Sequence, residues 1–287
     1  MGTPEGDSGR AALWNVECHL ALDVGDDATI VLQVAVAACA GSVREETFDV
    51  VVDGRPLGVR RIDGHHRGIV HVFRSPPGGL TIAVRSTVEP TAPTDPALAE
   101  VVATESLDME QLTYLRQSRY CPSDRLSAFA AHELGDIGAS PELLTAVGEW
   151  VAERLSYEEG SSGPLDSAVD SLFAGRGVCR DFAHLAITML RALGVPARLV
   201  AVYAPGLTPM DFHAVVEAHV DGRWWVLDPT RLAPRTSLLR VSTGRDAADT
   251  AFLTVLDGQA ALLSTEIVAF TDGDLPSDDH TGLVQLP

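Results

Sequence analysis

The sequence predicts an α+β protein: an N-terminal β-sandwich over residues 1–95, followed over residues 96–287 by a domain of helices packed on an antiparallel sheet. Three observations carry this. Up to residue 89 the chain holds only short, Val- and Ile-rich runs separated by Gly, Asp and Pro turns. Residues 89–99 are proline-rich and mark a linker or extended crossing segment. Beyond it, apolar residues recur at intervals of three and four in several stretches, and two alternating runs then flank Asp221-Gly222.

In chain order, the strand-like runs are 14–24, 29–38, 47–52, 68–74 and 80–88, with turn signals at Asp53-Gly54 and at Pro76-Pro77-Gly78-Gly79. Two facing sheets are the natural way to bury their apolar sides. His65 and His66 fall in a turn without an acidic or cysteine ligand at metal-site spacing, so no metal is implied there. Ser123 can open a helix carrying Leu126, Phe129 and Ala130. Ser140-Pro141 opens another, with Leu143, Leu144, Val147, Trp150, Val151 and Leu155 on one stripe. Residues 157–163 read as a loop and 166–174 as a third helix. After the central helix the pattern predicts a strand at 198–203, a loop at 204–210, a strand at 238–242, a helix at 246–255 and a strand at 262–270.

The chemistry concentrates at Gly-Arg-Gly-Val-Cys-Arg-Asp-Phe-Ala-His-Leu, residues 175–185. Val178, Phe182, Leu185, Ala186, Met189, Leu190 and Leu193 form a helical stripe ending at Gly194 and Pro196. Cys179 therefore opens a helix behind two glycines, where unpaired N–H groups and the positive end of the dipole favour a thiolate. Downstream, a two-residue turn at Asp221-Gly222 sets Val220 opposite Arg223 and, by counting back, Val215 opposite Asp228. His213 and Asp228 are then diagonal neighbours on one face, about 7 Å apart at Cβ. Ala214, Val216, Ala218, Val220, Trp225 and Leu227 share the other face, which should pack on the core. Glu217 and His219 continue the strand and read as solvated sheet surface. Asp181 lies in the first turn of the helix, whereas His184 points about 140° away from Cys179 on a helical wheel, so neither is the base.

A nucleophile at a helix start with an imidazole and a carboxylate on adjacent strands is the arrangement for nucleophilic acyl transfer. Gly-Val-Cys-Arg-Asp-Phe-Ala-His-Leu (177–185), Gly-Val-Pro-Ala-Arg-Leu-Val (194–200), Asp-Phe-His-Ala (211–214) and Trp-Val-Leu-Asp-Pro-Thr (225–230) resemble the core of the transglutaminase-like superfamily. Its prokaryotic members are described as cysteine proteases, and the resemblance implies a papain-like core domain with Cys179 as nucleophile, His213 as base and Asp228 as third member. It implies a peptide or protein substrate, with a protease or amidase if water accepts the acyl group and a transglutaminase if an amine does. In animal relatives a tryptophan indole is the second oxyanion donor; here Trp150 is the one tryptophan in the preceding stretch, and it reads as core. The acidic segment 272–280 lacks the ligand spacing of a calcium loop, and no cofactor is implied.

Composition narrows the partners. A net charge of −19 and a pI near 4.7 exclude the basic surface that nucleic acid requires. All 21 positive residues are arginines, so the chain offers no lysine amine of its own for cross-linking. No apolar run reaches the roughly 20 residues of a membrane span, the start lacks the pattern of a signal peptide, and a cytoplasmic protein is expected. Cys18, Cys39, Cys121 and Cys179 show no CxxC spacing and read as reduced thiols. Two other classes remain: a non-catalytic relative whose cleft binds a peptide, and a metal hydrolase drawing on Cys179, His184, His213 and His219.

Overall fold

The computed structural model describes residues 12–91 and 108–287. Much of the proline-rich segment and the expected 95/96 boundary lie outside the described residues. The first part contains β1 (Trp14–Val24), β2 (Ala28–Leu32), β3 (Gly41–Val52), β4 (Arg55–Pro56), β5 (Arg60–Asp63), β6 (Ile69–Ser75) and β7 (Gly78–Pro90). Then come α1 (Met109–Leu115), α2 (Ser123–Leu134), α3 (Pro141–Arg154), β8 (Ser156–Tyr157), α4 (Ala168–Ala174), β9 (Arg176–Gly177) and α5 (Cys179–Ala192). The remainder is β10 (Ala197–Tyr203), β11 (His213–Val220), β12 (Arg223–Leu227), β13 (Leu239–Gly244), α6 (Ala247–Thr250), β14 (Leu253–Asp257) and β15 (Ala260–Thr271).

Two sheets, in the orders β15-β1-β7-β3-β4 and β14-β2-β6-β5, face one another as a sandwich. Strict alternation places Trp14, Val16, Cys18, Leu20, Leu22 and Val24 of β1 inward, where they meet Ile30, Leu32 and Phe73 of the other sheet. The sandwich is not made from the N-terminal residues alone. Strands β14 and β15, expected with the C-terminal part, pair with β2 and β1, so each sheet takes an outer strand from residues 253–271. The helix expected at 246–255 shrinks to the single turn of α6. Asp246 caps that turn through Ala248 N–H (2.9 Å), and the β-favouring run from Leu253 onward is drawn onto the free edge of β2.

The second layer is the sheet β12-β11-β10-β13, antiparallel throughout. Helix α5 crosses its face, and α2, α3 and α4 pack on the helix from outside. Because α5 is covered on all sides, every residue from Asp181 to Arg191 is buried. Its apolar stripe packs as expected, but a second stripe, Asp181, His184, Thr188 and Arg191, is polar and buried as well. Hydrogen bonds compensate all of it but His184 Nδ1, which has no partner in the protein. Arg191 alone donates to the carbonyls of Ala197, Arg116 and Arg245 and to Ser118 Oγ, at 2.7–3.0 Å. Helix α1 was not anticipated, although its capping box, Asp108 with Gln111, stands in the sequence.

Hydrogen bonds join the two layers. Tyr203 Oη donates to Val34 O (2.5 Å) and Ala37 N–H to Arg240 O (2.8 Å). The C-terminal segment lies along β12: Val226 N–H donates to Val284 O (2.8 Å), and Asp278 takes both ends of the Arg235 guanidinium at 2.8 Å. No helix among the described residues is long and apolar enough to cross a membrane.

Candidate active site

Three local features place Cys179, the candidate nucleophile. Gly175 ends α4 in the left-handed conformation (φ 66°), which returns the chain toward β8. Strand β9 then pairs in parallel with β8, aligning Gly177 with Tyr157. Asp181 pins the start of α5 by accepting from Val178 N–H (2.8 Å), Ser162 Oγ (2.9 Å) and Ser171 Oγ (3.1 Å). A side chain at Gly177 would sit 2.5 Å from Asp181 Cβ, so the tight approach needs glycine. Cys179 thus begins α5 partly exposed, its thiol directed at Phe212 O at 4.0 Å.

The hairpin has the expected register, Val220 opposite Arg223 and Val216 opposite Leu227, so Asp228 follows β12 on the face of His213. His213 Nε2 and Asp228 Oδ2 are 2.8 Å apart, with both side chains fully buried. The other carboxylate oxygen accepts from Thr230 N–H (3.0 Å) and Thr230 Oγ1 (2.7 Å). Burial opposes a charged ring, but the Asp228 charge and hydrogen bond, with a smaller contribution from the Cys179 thiol, outweigh it and raise His213 to about 10. Asp228 is correspondingly held below the usual carboxylate range: burial would raise it, and His213 and Thr230 pull it down. Nδ1 of His213 is buried without a hydrogen-bond partner in the protein. Cys179 adjoins the ring whose one uncommitted nitrogen this is.

The other sequence candidates go elsewhere. His184 is fully buried, stacked on Tyr120 (centroids 5.1 Å, 8°), and accepts from Ala247 N–H through Nε2 (3.2 Å). Burial depresses it to about 3, so it is a neutral packing residue. His219 is bound to Gln111 and set edge-on to Trp224. Neither joins Cys179 and His213, so the four-residue metal set of the alternative reading is not assembled; among the described residues no other His, Cys, Asp and Glu cluster could hold a metal. Glu217 corrects an expectation. It is 1% exposed rather than solvated, its carboxylate bound to Arg198 and Arg240 at 2.6–2.9 Å, because α1 and the C-terminal segment cover that face. Trp150 is core, as expected, its indole donating to Glu133 (2.8 Å).

One residue beside Cys179 comes from the segment 157–163, expected as a loop. Tyr157, in the short strand β8, lies over Phe182 (6.0 Å between rings), and its oxygen meets the backbone N–H of Cys179. Burial pushes its hydroxyl up to about 12, with the neighbouring Cys179 and Asp211 adding to the effect, so it stays a phenol and a donor. The signal was the strand pairing across residues 157 and 177, which no local pattern announces. Beside the thiol opens a cavity of about 620 Å³ lined by Cys179, Arg180, Asp211 and His213 and, from the sandwich side, by Gln33, Phe252 and Leu253. A larger one, about 720 Å³, lies between α1 and the turn at His65 and holds no nucleophile.

Residues 130–229 match the model of the transglutaminase-like superfamily, a span that contains Cys179, His213 and Asp228. Uncharacterized protein ML0607 of Mycobacterium leprae (strain TN) is 31% identical over 195 residues, 62% of this chain and 68% of that protein. The chain belongs to the transglutaminase-like superfamily. A crystal structure of a candidate cysteine protease from Cytophaga hutchinsonii has the same fold, with a TM-score of 0.84 at 27% identity over 96% of this chain and 97% of that one. That span extends the likeness from the transglutaminase-like core to the sandwich. At the level of the family, fold and neighbour support a cysteine-dependent enzyme.

Proposed function

We propose that the chain is a cysteine-dependent hydrolase of peptide or amide bonds, with Cys179 as nucleophile, His213 as base and Asp228 as the acid that orients it. The observation that carries this reading is the division of labour on His213: Nε2 is committed to Asp228 at 2.8 Å, and the buried Nδ1, on a ring that is protonated at neutral pH, adjoins the Cys179 sulfur and holds the proton taken from it. The thiolate attacks the carbonyl carbon, and the developing oxyanion is received by the N–H of Cys179 and the hydroxyl of Tyr157, which yields its place beside the N–H and donates instead. Tyr157 is 40% exposed and free to make that movement. The imidazolium protonates the leaving amine, a thioester remains, and water activated by His213 releases the acid.

The description of the Cytophaga hutchinsonii protein as a protease favours water as acceptor; with an amine as acceptor the same steps give a transglutaminase. The four cysteines form no disulfide, which supports a reducing compartment such as the cytoplasm. The test is alkylation by iodoacetamide near neutral pH with mass-spectrometric site assignment. Cys179 reacts and Cys179→Ala removes the reaction, whereas Cys18 and Cys121, buried and raised to about 12, stay unmodified in the folded protein. Equal labelling of all four thiols refutes the reading. Peptides offered with and without a primary amine then separate acid from amide products.

A further inference from the structure

The cavity beside Cys179 carries information about the acyl donor, provided that the acyl-transfer reading above holds. Its two charged residues, Arg180 and Asp211, are one and two positions from Cys179 and His213 and so mark its mouth. Behind them the wall is apolar: Phe212, Ala214, Val241, Phe252 and Leu253. Three polar side chains among them, Gln33, Tyr120 and Thr250, spend their donors within the protein. Gln33 Nε2 donates to the carbonyls of Asp249 (3.0 Å) and Ala251 (3.3 Å), Thr250 Oγ1 to Asp246 O (3.2 Å), and Tyr120 Oη to Pro164 O (2.9 Å).

The far wall is held in place from the sandwich. Phe252 stacks on Phe212 (centroids 4.6 Å, 25°), the residue before His213, and its carbonyl is fixed by Gln33 N–H at 3.0 Å. Leu253 begins β14, which pairs with β2 of the sandwich. Against this apolar wall a carboxamide gives up water and meets hydrocarbon, whereas a hydrocarbon loses nothing; the buried polar atoms of the lining without a partner, Arg180 Nε and His213 Nδ1, belong to the mouth beside Cys179. We propose that this cavity receives a bulky apolar side chain, aromatic or long aliphatic, on the acyl side of the bond that Cys179 attacks, with Phe252 and Leu253 setting the preference. Glutamine is disfavoured there, and the sandwich thereby acts as a specificity element. The volume, about 620 Å³, exceeds one aromatic side chain and lies within the usual range for ligand sites.

The experiment compares chloromethyl ketones of N-acetyl-phenylalanine, N-acetyl-leucine and N-acetyl-glutamine as alkylating agents of Cys179 in the full chain, with iodoacetamide as the control that carries no side chain. The expected result is a rate at least about tenfold higher for the apolar reagents than for the glutamine one. Leu253→Asp lowers that ratio by about tenfold when each rate is taken relative to the iodoacetamide rate of the same variant. Phe252→Leu, should Leu253→Asp not fold, moves the ratio in the same direction. Equal rates for the phenylalanine and glutamine reagents, or a ratio unmoved in both variants, overturn the proposal while iodoacetamide labelling still upholds the nucleophile. Binding without chemistry is read in Cys179→Ser by NMR shifts with N-acetylphenylalanine amide and N-acetylglutamine amide. An unreactive sulfur therefore refutes the enzyme reading, and the pocket is decided separately.

Discussion

Replacing Asp228 by Asn removes one charge from a pair whose side chains are both fully buried, and it changes almost no volume. Thr230 N–H and Oγ1 require an acceptor at the Oδ1 position, so the amide NH2 must take the other position, facing His213 Nε2. That nitrogen then accepts, the ring proton moves to Nδ1, and the atom left for the thiol can no longer take its proton. Turnover falls by about four orders of magnitude, as expected when an orienting acid is lost and the wrong tautomer is locked in. The stability cost follows from the same contact. The rise of His213 from 6.5 to about 10 is equivalent to about 5 kcal/mol of preference for the imidazolium, and losing one partner of a buried pair costs about 3–5 kcal/mol.

The pH dependence has a definite sign. A folded value above the unfolded one means that the stabilisation is fully present below pH 6.5 and is lost as pH rises toward about 10; Asp228, being lowered, loses its own contribution as pH falls below its unfolded value of 3.8. The assay is an NMR titration of the His213 ring with urea unfolding at several pH values. In the wild type His213 titrates near 10. In Asp228→Asn burial, the largest influence, is opposed only by the smaller contribution of Cys179, and the midpoint drops below 6.5. A midpoint that does not move, or unchanged turnover, refutes the pairing as the source of the base.

Three further outcomes follow from the structure. Tyr157→Phe keeps the ring over Phe182 but removes the donor, so turnover falls about 10²–10³-fold while iodoacetamide alkylation, which builds no oxyanion, is unchanged; steady-state rates set against alkylation rates check it. Glu217→Gln leaves the buried Arg240 guanidinium without its counter-charge and Arg198 with Glu110 alone, and costs about 3–5 kcal/mol in urea unfolding at pH 7. Burial would raise Glu217, but the two arginines bring it to about 2, so the wild-type advantage is complete above pH 4.5 and is lost as pH falls toward 2. Gly177→Ala drives a methyl group into Asp181 and loosens the start of α5, with a cost of about 1–3 kcal/mol by thermal unfolding and a lower rate of Cys179 alkylation.

What the sequence determined by itself is whatever depends on neighbours a few residues apart. The period of the Val178–Leu193 stripe identifies α5, and the Asp221-Gly222 turn sets the register that puts His213 and Asp228 on one face. Both are local rules: helical period and strand alternation act over three or four residues, and a two-residue turn leaves one pairing. Tertiary structure alone decided the rest. Glu217 alternates like any surface carboxylate, and only the arrival of Arg198, Arg240, α1 and the C-terminal segment makes it a buried ion. Tyr157 reads as a loop residue until β8 meets β9. Strands β14 and β15 carry the same apolar pattern wherever they pair, and the unfilled edges of β2 and β1, more than 200 residues earlier, are what place them. A buried charge, a tyrosine beside Cys179 and a strand's partner are all set by contacts between distant segments, and no residue's own surroundings in the chain encode which segment will come.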